Sequence, residues 1–373
     1  MVIHILKVGA FDTRQLAPLR LVNRALCDAA SDPSFYRLFA CDSVAAMKTL
    51  PLFATNSMHR LLMTGNEEAD LALMAEVVPN LTSLDSQFSR VVSGGRLESA
   101  SLAPLRELSM TANVEMGTDF LRQLTNLECL QVTCLGDVAS IASLPLLTRL
   151  SLPNVAANTG ELMSALASAP CTATLEALHL EVLGGTTVSP EFWELLAEFS
   201  SLSEFRLVGF VHDCQEGETD AFADALAGLP ALVVLDLGAR KPVTDALLRC
   251  GLPSSLAVLG LGTCGDFADM LAALPPGLVA LRVPSRRRHS AIEIRALLSH
   301  CPQLRALSLK CDDEAVAYLA SGKFDRSLVL NHFHFGKASQ VLAGAGHRVG
   351  RLRIGLHWRI GGGVAFEGKA AGV

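Results

Sequence analysis

Charge is scarce in this sequence. Asp, Glu, Lys and Arg make up 18% of 373 residues, and 37 acids against 31 bases leave a net charge of −6. A chain that is half apolar and this poor in charge does not have the composition of a disordered protein, and it lacks the basic excess that draws proteins to nucleic acid. Paired cysteine motifs are missing too. The ten cysteines (27, 41, 129, 134, 171, 214, 250, 264, 301 and 311) include no C-x-x-C, which excludes the common zinc and small-disulfide frameworks and leaves reduced thiols in a cytoplasmic or nuclear protein as the expectation. The opening "MVIHILKVGAFD" reaches Lys7 and Asp12 too soon for a signal peptide or a bilayer span, so no membrane partner is expected. There is no G-x-S-x-G, H-E-x-x-H or P-loop, and the carboxylates are too dispersed to nominate an acid–base pair; no catalytic residue is assigned.

What is present is a repeat. The pattern L-x-x-L-x-L, with apolar substitutions, begins at Met58, Leu81, Leu105, Leu127, Leu147, Leu175, Leu202, Leu232, Leu256, Leu278, Leu304 and Val349, with a degraded copy at Ser327 to Leu330. The last L-x-L of each copy predicts a short strand with its apolar side chains on one face. Between copies, stretches such as "EEADLALMAEVV", "EFWELLAEF", "DAFADALAGL", "DFADMLAAL" and "AIEIRALLSHC" carry apolar residues three and four apart and predict helices. One strand and one helix cannot bury their own apolar faces, so the units must stack, with parallel strands on one side and helices on the other.

Over roughly residues 55 to 360 the chain resembles the leucine-rich-repeat family, which implies an α/β solenoid shaped as a horseshoe. That family places Asn or Cys three residues past the last leucine; Asn113 and Cys264 fit, while Cys134 and Cys311 fall one residue early. The stretch "CPQLRALSLKC" is similar to the cysteine-containing subtype common in ubiquitin-ligase receptors.

Residues 1 to 48 do not follow the repeat. Leu19, Val22, Leu26 and Ala29 have helical spacing, and "SDPSF" supplies Asp32 as N-cap and Pro33 at the first position of a second helix through Phe35, Tyr36, Leu38 and Phe39. A cap closing the first repeat is one reading. The other comes from Val22, Arg24, Ala30, Ser31, Asp32, Ser34 and Tyr36, which are similar to the latter half of an F-box. That resemblance implies a short all-α module docking the adaptor of a cullin–RING ubiquitin ligase, with Leu19, Val22, Arg24, Leu26, Phe35 and Tyr36 as adaptor-binding residues. The expected domains are therefore an F-box-like segment (1–48), a repeat solenoid (55–360) and a flexible tail (361–373).

Two motifs imitate other chemistry. Gly260, Gly262 and Gly265 spell G-x-G-x-x-G between a strand and a helix, with Arg286 to Arg288 after the next strand, as in a dinucleotide site. Leu256, Leu259, Leu261, Leu278, Leu281 and Val283 keep the repeat register through this stretch, so no cofactor is assigned. His332 and His334 would share a strand face but lack a third ligand, so no metal is assigned either.

A binding surface follows from the repeat: residues before and between the last two apolar positions face away from the core. Glu107, Ser109, Gln131, Arg149, Ser151, His179, Glu204 and Arg206 form a polar field. Val234, Asp236, Val258, Gly260, Ala280, Arg282 and Ala306, then Arg351 and Arg353, form an apolar column with charge at its rim. Arg149, His179, Arg206, Val234, Asp236, Val258 and Arg282 are the partner-binding candidates. Together with the F-box resemblance, the expected function is the substrate receptor of a cullin–RING ligase, holding an unidentified protein substrate; the alternative is a repeat scaffold without a ligase role.

Overall fold

A computed structural model of the chain describes residues 38–41, 59–63, 77–86, 104–110, 121–133, 138–155, 159–182, 188, 190–209, 218–238, 241–262, 265–283, 287–320, 328–331 and 352–355. The chain divides into two compact units, Met1–Leu178 and His179–Val373.

In the first unit the strands are β1 (Leu38–Cys41), β2 (Arg60–Met63), β3 (Ser83–Ser86), β4 (Glu107–Met110), β5 (Cys129–Val132) and β6 (Arg149–Val155). They pair in chain order, all parallel, with Leu61, Leu84, Leu108, Leu130 and Leu150 in one register. The division between the units falls inside β7 (Ala177–Val182). In the second unit β8 (Glu204–Val208), β9 (Val234–Gly238), β10 (Val258–Gly260), β11 (Ala280–Val283), β12 (Ala306–Leu309), β13 (Leu328–Asn331) and β14 (Leu352–Gly355) follow the same rule. Phe205, Leu235, Leu259, Leu281 and Leu307 are their shared register. The degraded copy near Ser327 is β13, paired to both neighbours.

The apolar repeat positions from Leu61 to Leu309 are the core: none is more than 4% exposed. Each such side chain stabilises the fold by about 1.5–3 kcal/mol relative to exposure. Two backbone devices recur beside them. The first leucine of most copies donates its amide to the carbonyl three residues back, as in Leu127 to Leu124, Leu202 to Phe199, Leu278 to Pro275 and Leu304 to Cys301, making a turn into the strand. The carbonyl just ahead of most strands then accepts two consecutive amides of the next repeat. Thr82 and Ser83 donate to His59, Glu128 and Cys129 to Arg106, Ala257 and Val258 to Val233, and Arg305 and Ala306 to Val279, at 2.7–3.1 Å. Neighbouring repeats are thus locked through main chain that any residue supplies, so an Asn or Cys ladder is not needed for their spacing.

The other side differs between the units. In the first, 3-10 turns at Val138–Ser143 and Pro170–Ala173 accompany α1 (Thr159–Ala167). In the second, α2 (Pro190–Leu196), α3 (Glu218–Ala227), α4 (Lys241–Cys250), α5 (Phe267–Ala273), α6 (Ala291–His300) and α7 (Asp313–Ala320) pack each against the next. An aromatic cluster seals the helices onto the sheet: Trp193 lies 4.4 Å from Phe222, 5.0 Å from Phe192 and 6.5 Å from Phe205, centroid to centroid. Among the described residues, no helix is long and apolar enough to cross a membrane.

One expectation is corrected here. Leu38 and Phe39 were read as part of a second helix, but Leu38–Cys41 is a strand paired in parallel with β2, ahead of the boundary drawn at residue 55. Pairing with an available sheet edge outweighs a short helical spacing. Leu19, Val22, Arg24, Leu26, Phe35 and Tyr36, and with them the F-box reading, lie outside the described residues, as do His332, His334, Arg351 and the tail.

Candidate partner-binding strand face

Alternation along β8 to β12 turns one set of side chains away from the core. Register arranges that set in two rows. Glu204, Val234, Val258, Ala280 and Ala306 are opposite one another in one row; Arg206, Asp236, Gly260, Arg282 and Ser308 are opposite one another in the other. The sequence placed charge at the rim of an apolar column, and the structure places it in the middle. Asp236 on β9 forms an ion pair with Arg282 on β11, reaching across Gly260 on β10, and its side chain is only 4% exposed.

Gly260 is the reason the pair can form. A Cβ at this position would lie 2.1 Å from Asp236 Oδ1 and 2.5 Å from its carboxyl carbon, so any side chain here would displace the carboxylate. Gly265 donates its amide to Asp245 Oδ1 at 3.0 Å, and Asp266 caps α5 by accepting from Ala268. Two amides of this stretch, those of Gly265 and Ala268, therefore already face carboxylates of the chain.

A second polar group adjoins the row. Glu204 Oε1 accepts from Arg206 Nε at 2.6 Å and lies 3.0 Å from His179 Nε2, with Arg206 Nη2 also in contact. His179, at hydrogen-bonding distance, is the main reason the Glu204 carboxyl is pushed down to about 2; the charges of His179 and Arg206 add to this, and burial opposes it. Ser308, 6% exposed, ends the charged row; the sequence reading did not single it out.

Of the partner-binding candidates, His179, Arg206, Val234, Asp236, Val258 and Arg282 all fall on this face of the second unit, while Arg149 stands exposed on β6 of the first. Among the described residues no cluster of three His, Cys, Asp or Glu side chains could hold a metal ion.

No family model and no curated protein sequence matches the chain. In structure it is similar to a chain of the Toll–Spatzle complex from Drosophila (TM-score 0.47, 13% identity, covering 81% of this chain and 49% of that one). It is also similar to an internalin, inlF, from Listeria monocytogenes str. 4b F2365 (TM-score 0.41, 18% identity, covering 80% of this chain and 90% of that one). The chain spans about half the length of the first of these.

Proposed function

We propose that the chain is a non-catalytic binding scaffold that takes a protein partner on the strand face running from His179 to Ser308. One observation carries this reading. The Asp236–Arg282 pair is set between Val234, Val258, Ala280 and Ala306, and Arg282 Nε is buried with no acceptor among the described residues. A buried cationic N–H without an acceptor is costly, and a partner whose acceptor draws the guanidinium outward removes that cost. An arginine held in place beside apolar residues is also the kind of side chain that dominates protein interfaces. The test is affinity capture by the full chain, comparing Val258→Arg with Ile292→Arg, the latter on α6 where Ile292 is 78% exposed. A partner captured by wild type and Ile292→Arg but lost with Val258→Arg is the expected result; equal capture by all three removes this face from the function.

The narrower reading makes the scaffold a substrate receptor of a cullin–RING ligase. It is supported by the F-box-like residues Val22, Arg24, Ala30, Ser31, Asp32, Ser34 and Tyr36. Its mechanism is tethering, in which gripping the adaptor at one end and a substrate at the other raises the effective concentration of the substrate's lysines near the loaded enzyme. Wild type is then expected to recover the adaptor and the cullin from extract, and Val22→Asp with Leu26→Asp to lose both. Failure of wild type to recover the adaptor ends the ligase reading and leaves the scaffold standing.

A further inference from the structure

The side chain of His289, between β11 and α6, is 2% exposed, and neither ring nitrogen has a hydrogen-bond partner among the described residues. Its backbone is firmly engaged: its amide donates to Lys310 O at 2.8 Å, and its carbonyl accepts from Asp312 at 2.9 Å. Asp312 in turn caps the start of α7, its Oδ1 accepting from Ala315 at 2.8 Å. On the other side stands the capping box of α6. Glu293 Oε2 accepts from Ser290 N at 2.8 Å and Ser290 Oγ at 3.2 Å, while Glu293 Oε1 holds Arg287 Nη2 at 2.5 Å. His289 Nδ1 is 3.7 Å from that same Oε2, just too far for a hydrogen bond.

Among the described residues, the remaining surroundings offer the imidazole no charge to balance a proton. From α5 comes the Phe267 ring, 5.2 Å away; the acids of that stretch, Asp266 and Asp269, are exposed, and Asp266 is bonded to its own helix. From the paired segment, the Cys311 thiol is pushed up to about 12 by burial and stays neutral, and Asp312 is committed to its cap. Burial is the largest influence on the ring and lowers its value, Glu293 opposes it and Arg287 adds to it, so the imidazole is held below its ordinary value and is neutral at pH 7.

We propose that His289 is a proton-operated latch on the paired caps of α6 and α7. While the ring is neutral, Glu293 Oε2 remains with Ser290 and the caps stay closed. When Nδ1 and Nε2 both carry protons, the imidazolium draws Oε2 across the 3.7 Å gap, away from the Ser290 amide. The first turn of α6 then loses the Glu293 half of its capping box, and the main-chain bonds of His289 to Lys310 and Asp312 loosen with it. The device is independent of what binds the strand face.

The test is amide hydrogen exchange on the full chain between pH 7.5 and 5.0, corrected for intrinsic rates, with the His289 ring followed by NMR. Protection at Ser290, Glu293 and Asp312 is expected to fall at least tenfold as the ring titrates, with α1 unchanged. His289→Phe, which keeps the ring packing on Phe267, is expected to abolish the pH response. Glu293→Gln is expected to lower protection at both pH values, leaving less than a twofold difference. A ring that stays neutral down to pH 5.0, protection that does not change while the wild-type ring titrates, or a pH response that survives in His289→Phe overturns the latch; the wild-type titration decides the matter even if a variant fails to fold.

Discussion

The two units use the same strand and the same leucines yet treat charge on their outward faces in opposite ways. In the first unit, Arg106 holds Glu128 at 2.7 Å with side chains 62% and 42% exposed, and Arg60 lies 3.5 Å from Glu107 at 62% and 52%. These are solvated pairs whose attraction water and salt largely cancel. In the second, Asp236 and Arg282 are 4% and 22% exposed, and Glu204 and Arg206 are 25% and 15%. Buried charge is costly to strand without its partner, so the second face carries organised, sheltered pairs where the first is a wetted surface. The difference comes down to small residues: Gly260, Ala280 and Ala306 flank the buried pair, whereas Ser83, Glu107 and Gln131 stand on the exposed face.

The strongest test of this contrast is Asp236→Ala. It leaves Arg282 buried without its carboxylate and is expected to cost about 3–5 kcal/mol of stability, read as a lower urea midpoint. A loss below 1 kcal/mol would put the second face in the same class as the first. Next comes Glu204. Its folded value near 2 lies below its ordinary 4.5, so the stabilisation it provides is complete above about pH 4.5 and is lost as pH falls towards 2. At about 1.4 kcal/mol per pKa unit the loss is at most about 3.5 kcal/mol, and Glu204→Gln should flatten the stability profile across that window. Gly260→Ala introduces a methyl group where Asp236 Oδ1 sits, and overpacking of this kind costs about 1–3 kcal/mol; a crystal structure of the variant should show Asp236 turned off Arg282. The smallest effect is expected in the first unit, where Arg106→Ala should change stability by less than about 1 kcal/mol and lose even that in 1 M salt.

Legibility was uneven for a physical reason. The leucines announce themselves because burial constrains a residue wherever it occurs, and the apolar repeat positions from Leu61 to Leu309 are all buried. Helices α2, α3, α5 and α6 were visible in apolar spacing, while α4 (KPVTDALLRC), α7 (DEAVAYLA) and α1 (TGELMSALA) were not singled out. The charged row was half visible. Asp236 and Arg282 were named, but as members of an apolar column, although both sit at the middle position of L-x-L, two repeats apart with glycine between. That spacing was the signal available: in a stack of parallel strands, equal positions in successive repeats become neighbours.

What the sequence determined by itself was the repeat, because its periodicity states which side chains must leave water and therefore that strands stack in chain order. The tertiary structure alone decided that Leu38–Cys41 joins the sheet, that Gly260 clears a path for Arg282, and that His289 is sealed without a partner. Each of these depends on a distance between residues some 20 to 50 positions apart, and a linear pattern carries register but not distance.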